Sequence, residues 1–577
     1  MAAALGELAR EQLLTRVELA PLSHSETREL AGRLATRHEL PPLEAALSEQ
    51  IWAISQGNPL VIVESMRALA SGTLARDVTQ LPVPERVRTL ILNRVAKVSS
   101  GAREVLAVAA VAGRELELDV LTTALDGLPL TAALNELARV QLVRAIEERV
   151  YFTHDRIRET LYSEMLPVSR RLLHGRVAKA LEQRELKLPA TIGHIGYHYS
   201  KAGDAPAAVR YLTRFAELAF RDHGVNEALV ALERAFEDAG RLPEVERDRA
   251  QIEIVIREAY CFISLSRMEE LIARMGTLAP KLVALNSPEL SGPFHFFWGF
   301  ALALTAERRE AEAHAQRALN HAVRCDDKRV IGFTNALLSY LCQMTGRFQK
   351  GVAHGLLAIE LIGARSDARE ATTIAWLCLG MNHLWLGEVQ AAHKAVDRAA
   401  QIARESDNLR GQALAATTQG LLYGCTDEWK LALDATQRGL KASREPFTFV
   451  SALWMTAWAQ SGNGQYAQAI DLLTQVISLF EERGLRAWSA HAMAILSDAL
   501  RKNGDAERAV AQAQEALDVA LATDDRACAG WALRAQCLAL GALGQYDAAR
   551  VVSERAVELF VALQAPLERA KALLERA

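Results

Sequence analysis

The sequence predicts an all-α protein in which a short N-terminal helical part leads into a long solenoid of paired helices. Three observations carry this expectation. A turn signature recurs at nearly constant spacing through the second half of the chain. The segments between those turns place apolar residues three and four apart, the spacing of an amphipathic helix. Only one stretch, around 142–152, reads as a β-hairpin.

In chain order, the stretch from Met1-Ala2-Ala3-Ala4-Leu5 onward reads as an Ala-rich helix of about four turns. Apolar residues at helical spacing predict helices over 25–36, 42–56 and 60–70. Leu81-Pro82-Val83-Pro84 is punctuation, because two prolines force extended backbone before a new helix. Val87, Leu90, Ile91 and Val95 then mark one helix, and 102–112 a second that ends at Gly113-Arg114. Further helices are expected at 118–125 and 130–139. The runs 142–146 and 150–152 flank Glu147-Glu148-Arg149, which suits a short hairpin. Helices followed by a hairpin is the order of a winged helix, expected over 85–165. That segment to Glu182 carries 15 Lys/Arg against 13 Asp/Glu, with no basic stripe on 130–139. Phosphate contacts dominate DNA affinity and need clustered cations, so direct nucleic-acid contact is not expected.

From Val168 amphipathic helices follow one another to the end of the chain. Gly346-Arg347-Phe348, Gly387-Glu388-Val389, Asp427-Glu428-Trp429, Gly464-Gln465-Tyr466, Gly504-Asp505-Ala506 and Gly544-Gln545-Tyr546 recur at spacings of 41, 40, 37, 40 and 40. Three positions beyond each comes a small residue: Gly351, Ala392, Ala432, Ala469, Ala509 and Ala549. Weaker members stand at Ser266-Arg267-Met268 and Ala306-Glu307-Arg308. The turn residue frees the backbone at a helix end, and the small residue lets two helices approach closely.

Half of the 577 residues are apolar and the net charge is −4, which indicates a folded chain without an overall footprint for nucleic acid or membrane. The longest apolar stretch, 294–306, contains His295 and is too short to span a bilayer. Glu7, Arg10 and Glu11 interrupt any signal-peptide core. Seven cysteines without a C-x-x-C pair fit reduced thiols packed as small hydrophobes. The expected location is the cytoplasm.

Several motifs together resemble one family. Val17-Glu18-Leu19-Ala20-Pro21-Leu22-Ser23, Gly57-Asn58-Pro59-Leu60, Ala109-Ala110-Val111-Ala112-Gly113-Arg114, Phe152-Thr153-His154-Asp155 and Arg170-Arg171-Leu172-Leu173-His174 occur in an order similar to that of STAND-class signal-transducing ATPases. The resemblance implies a helical lid remnant over 1–80, a winged helix over 85–165 and tetratricopeptide-like repeats of about 40 residues over 168–577, wound as a superhelix. Relatives of this kind are regulatory ATPases fused to adenylate or guanylate cyclase domains or to LuxR-type output domains.

A phosphate loop requires G-x-x-x-x-G-K-[ST], and no such run occurs in the sequence. This chain is therefore expected to be neither an ATPase nor another enzyme, and to carry no cofactor of its own. ATP or ADP with Mg²⁺ would belong to an intact parent. The implied role is a regulatory scaffold: repeats bind a protein partner or a small inducer on their concave face, and the winged helix relays this to a nucleotide-binding domain. The alternative is the regulatory half of a nucleotide cyclase or of an ATP-hydrolysing transcriptional regulator.

In the resemblance, Gly57, Asn58 and Pro59 form the lid motif beside the adenine, and His154 senses the β-phosphate. Read from the residues alone, Gly57 and Pro59 suit a break between two helices, and Thr153 or Asp155 suits capping of the next one. His194 and His198 share a helical face, but Ile195 lies where a metalloprotease needs Glu, so packing is expected. Among the tryptophans of the repeats, Trp454 and Trp458 share a face with Met455 beside them, and these three are the candidate partner anchors, expected as an exposed cluster on the concave wall. The competing reading of the same residues is inter-repeat core.

Overall fold

A computed structural model of the chain describes residues 20–38, 40–70, 85–113, 115–125, 127–183 and 189–576. The expected N-terminal helix and the proline punctuation at 81–84 lie outside the described residues. The chain divides into two compact units, Met1–Ala208 and Val209–Ala577.

Unit 1 begins with three helices, α1 (His24–Arg37), α2 (Ala45–Ser55) and α3 (Pro59–Ala70). Ser23 opens α1 with a capping box, its Oγ accepting from Glu26 N at 3.3 Å while Glu26 Oε2 accepts from Ser23 N at 2.7 Å. Next come α4 (Glu85–Val95), α5 (Ser100–Ala112), β1 (Glu115–Glu117), α6 (Leu118–Ala124), α7 (Leu130–Arg139), β2 (Val143–Ile146), β3 (Arg149–Phe152) and α8 (Asp155–Glu164). The strands form one antiparallel sheet in the order β1-β3-β2.

The hairpin lies where alternation placed it, and Glu147 takes the left-handed conformation at its turn (φ 52°). Strand β1 was not foreseen. Three residues are too few to show a period, and they are extended because they pair with the free edge of β3. Leu106, Leu121, Leu137 and Leu142 are fully buried between helices and sheet.

Two more helices complete this unit, α9 (Pro167–Glu182) and α10 (Pro189–Ala202). Repeats were expected from 168. Yet Arg176 on α9 donates to Ala124 O at 2.9 Å and pairs with Glu104 on α5 at 2.9 Å, so the compact division falls later, at 208.

Unit 2 follows α11 (Ala205–Arg221) and α12 (Val225–Ala239) with helix pairs. These are α13 (Glu244–Ser264) and α14 (Met268–Leu285), α15 (Pro288–Leu304) and α16 (Arg308–Arg324), α17 (Lys328–Met344) and α18 (Phe348–Ile362), and α19 (Arg369–Trp385) and α20 (Val389–Glu405). The series continues with α21 (Leu409–Cys425) and α22 (Trp429–Ala442), α23 (Pro446–Gly462) and α24 (Tyr466–Glu482), α25 (Arg486–Lys502) and α26 (Ala506–Ala522), and α27 (Arg526–Ala542) and α28 (Tyr546–Ala562). Helix α29 (Pro566–Arg576) ends it. Among the described residues after 168 there is no strand.

The recurring signature is a left-handed helix stop. At Gly346, Gly387, Gly464, Gly504 and Gly544 φ lies between 73° and 92°, and the next amide reaches back five residues, as in Arg347 N to Cys342 O at 2.8 Å. Asp427, Ser266 and Ala306 hold the same conformation without glycine, at φ 62°, 59° and 70°. A second left-handed stop, unread in the sequence, joins most pairs to the next, through Asn286, Asp326, Asp407, Gly484, Asp524 and Gln564. At three of these turns the following residue caps the new helix: Asp327, Asn408 and Asp525 accept from backbone amides two or three positions on.

The array also closes on itself. Helices α13, α15, α17 and α19 touch α23, α25, α27 and α29, five pairs further along. Trp488 Nε1 donates to Tyr340 OH at 3.2 Å, Arg410 Nη1 to Ser264 Oγ at 2.7 Å, and Lys571 Nζ to Cys425 O at 2.7 Å. Arg308 Nη2 donates to Asp525 Oδ2 at 2.8 Å with both side chains buried, across 217 positions of sequence.

A cavity lined by the repeat array

Closure of unit 2 forms a half-open apolar cavity of about 260 Å³, and every residue lining it lies on a first helix of a pair or on the final helix, from α15 to α29. Phe296, Phe333, Tyr340, Trp385, Trp454 and Trp531 are its aromatic walls. These side chains come from five helices, brought to one place because each pair turns its first helix inward.

The tryptophans form a connected group. Trp385 stacks on Phe348 with ring centroids 5.3 Å apart, and Trp531 lies 5.9 Å from Trp385 and 5.6 Å from Trp458. Trp458 in turn meets Trp429 edge-on at 5.3 Å.

This placement corrects the expectation of an exposed anchor at Trp454, Met455 and Trp458. Trp454 is 9% and Met455 2% exposed, and both line the cavity. Trp458 is half-buried behind the wall, against Trp429 and Trp531. Of the neighbouring phenylalanines, Phe447 is buried and Phe449 is exposed.

The charges at the cavity edge are paired. Arg410 contacts Glu445 at 2.8 Å and Glu370 at 3.1 Å, and its guanidinium lies 5.3 Å from the Phe447 ring. Burial pushes the Glu445 carboxyl up, against the opposing pull of Arg410. Glu568 is bound by Arg534 and lies 3.7 Å from Lys571. Burial pushes the Tyr340 hydroxyl and the Cys378 and Cys425 thiols up to about 12, so these cysteines line the cavity as inert thiols. All seven cysteines are free.

In unit 1 the structure brings the other candidate residues together. Gln56 and Gly57 both adopt left-handed backbone, at φ 46° and 78°, and Pro59 begins α3. Leu22, from the first motif, donates its amide to Gly57 O at 2.8 Å. A Cβ on Gly57 would stand 2.1 Å from the Leu22 carbonyl oxygen, so glycine is required there. His154 Nδ1 lies 3.1 Å from Gln56 Oε1, across 98 positions of sequence. Its pKa is lowered, first by burial and then by Arg94 and Arg144. The three motifs thus share one place, which the turn 56–59 presents beside the imidazole.

Capping by Thr153 does not occur. Its hydroxyl donates instead to Gln141 O at 2.7 Å, and His154 is the N-cap residue of α8, its side chain making no capping bond to the helix. His198 pairs with His174 rather than with His194: their Nδ1 atoms are 2.8 Å apart, and His174 Nε2 lies 3.0 Å from Tyr162 OH. Among the described residues no group of three or more His, Cys, Asp or Glu could hold a metal, and no helix is long and apolar enough to cross a membrane.

No family model matches the chain. It is 28% identical over 254 residues to an uncharacterized protein of Rhizobium meliloti (strain 1021), a match covering 41% of this chain and 24% of that relative. Among solved structures, a STAND protein with a tetratricopeptide repeat sensor from Pyrococcus horikoshii is 15% identical, covering 96% of this chain and 76% of its own at a TM-score of 0.39. A Rap protein complexed with competence and sporulation factor is 14% identical over 62% of this chain and 94% of its own, at a TM-score of 0.45. Aspartyl phosphate phosphatase F from Bacillus subtilis is 12% identical over 65% and 96%, at 0.38. The helical-repeat fold rests on the helices of this chain themselves.

Proposed function

We propose that this chain is the sensing and relay part of a signal-transducing ATPase. Unit 2 takes up an inducer or a partner segment inside its closed array. Unit 1, acting as lid and winged helix, passes the event to a nucleotide-binding domain supplied elsewhere. The observation that carries the reading is the cavity, whose walls are drawn from helices on both sides of the closure. Occupancy would favour one closure geometry over another, and a ligand shifts such an equilibrium by its difference in affinity for the two states.

The contact between Gln56 and His154 supports the relay half of the proposal. Gly57, Asn58, Pro59 and His154 would offer an adenine edge and a phosphate donor to a nucleotide. They supply no phosphate cradle, so the chain by itself is assigned no hydrolysis and no catalytic step. A bound nucleotide would bring the charge that His154 reads.

The test is hydrogen exchange on the full chain against a panel of uncharged aromatic compounds and apolar peptides. Binding is expected to slow exchange in α17, α19 and α23 and to change it at residues 55–59. Protection confined to the outer, second helices would overturn the reading. So would ATP turnover by the purified chain that disappears in His154→Ala.

A further inference from the structure

We propose that the cavity's occupant is a compact, uncharged aromatic molecule bearing a hydrogen-bond acceptor, of the aromatic-ketone class. This rests on the sensing role proposed above and names the ligand for it. Size is the first argument. A dry apolar cavity of about 150 Å³ accepts benzene, and the 260 Å³ here accommodates a two-ring molecule against aromatic walls.

Charge is the second. Arg410 is held between Glu370 and Glu445, and Glu568 is held by Arg534. The remaining ring that could attract an anion, His491, lies 3.8 Å from the Asp525 carboxylate. A charged ligand would give up its hydration for walls whose ions are already paired, which disfavours it strongly.

The third argument fixes the polar group. Trp385 Nε1 and Trp531 Nε1 are buried, and neither finds an acceptor among the described residues. Both rings wall the cavity, and Trp385 is only 7% exposed. A buried donor without a partner carries a desolvation cost that an acceptor on the ligand would remove. A peptide is the wrong occupant for the same reason. Each of its residues brings an amide donor and a carbonyl acceptor that must be matched, and the walls are almost wholly apolar.

The experiment compares 1-tetralone with tetralin, which share a skeleton and differ at one carbonyl. Binding to the full chain is measured by calorimetry and tryptophan fluorescence. The ketone is expected to bind about tenfold tighter, the worth of one buried hydrogen bond. In Trp385→Phe combined with Trp531→Phe, which keeps two aromatic rings and removes both donors, the preference should vanish while tetralin binding persists. As a second reading on the unaltered chain, an indole N–H resonance of Trp385 or Trp531 should move downfield with the ketone and stay in place with tetralin.

Equal affinity for the two compounds, unmoved indole resonances, or tighter binding of 1-naphthoate would overturn the inference. An apolar decapeptide that binds and excludes 1-tetralone would also overturn it, while leaving the sensing role standing. If neither small molecules nor the peptide bind, the sensing role fails as well.

Discussion

The two units place their candidate sites by opposite means. In unit 1 the residues arrive as short contiguous motifs, and folding brings three of them to one turn: Leu22, the stretch 56–59, and His154. In unit 2 no lining residue belongs to a motif. The cavity is made from inward-facing residues of first helices and the final helix, and it exists because helices five pairs apart meet. A motif site tolerates change in the scaffold around it but not at its own backbone. A closure site tolerates exchange of single lining residues but not loss of the contacts that close it.

Acid should expose the largest difference between the units. Burial holds the His174 and His198 pKa values at about 4 and about 3 in unit 1, and those of His295 and His314 at about 3 and about 4 in unit 2. Each imidazole folds neutral. Its stabilisation is therefore complete above the unfolded pKa near 6.5 and is lost as pH falls through the folded value, at about 1.4 kcal/mol per pH unit for each proton. Glu258 in unit 2 opposes this, because burial raises its carboxyl to about 7. Its contribution is present below about 4.5 and lost as pH rises through 7, so acidification restores it. Glu258→Gln should therefore hasten the loss of unit 2 as pH falls from 7 to 4.5 and leave unit 1 unchanged, as read by hydrogen exchange resolved by unit.

Arg308→Ala leaves the Asp525 carboxylate buried without its partner. It should cost unit 2 about 3–5 kcal/mol by denaturant unfolding and leave exchange in unit 1 unchanged. Replacing both residues by apolar ones of similar size should restore most of that loss. Equal effects on the two units would remove the distinction between motif and closure.

Gly57→Ala combines left-handed backbone with a clash on the Leu22 carbonyl, at a cost of about 2–4 kcal/mol. The loss should appear as faster exchange across α2 and α3, with the unit 2 transition unmoved.

The smallest effect tests the repeat turn itself. Ala306 holds the conformation that glycine holds at most of the other stops (φ 70°), so Ala306→Gly should stabilise unit 2 by about 1 kcal/mol. A destabilised variant would mean that the packing of its methyl group outweighs the backbone strain.

The sequence by itself determined the all-helical class and the repeat turns. Both are local: the Gly346 and Gly387 stops follow from backbone preference, and the helices between them from apolar spacing. It also determined the hairpin at 143–152, whose two strands are adjacent in the chain. The same locality explains the incorrect exposure expected for Trp454. A helical face can be read from spacing, but what covers it cannot, and here the cover comes from helices far along the chain. Strand β1, the pairing of Arg308 with Asp525 and the contact of Gln56 with His154 were decided only by tertiary structure. Their partners lie 34, 217 and 98 positions apart. No short-range pattern records such a pairing, because its stabilisation arises only once the intervening chain has already folded.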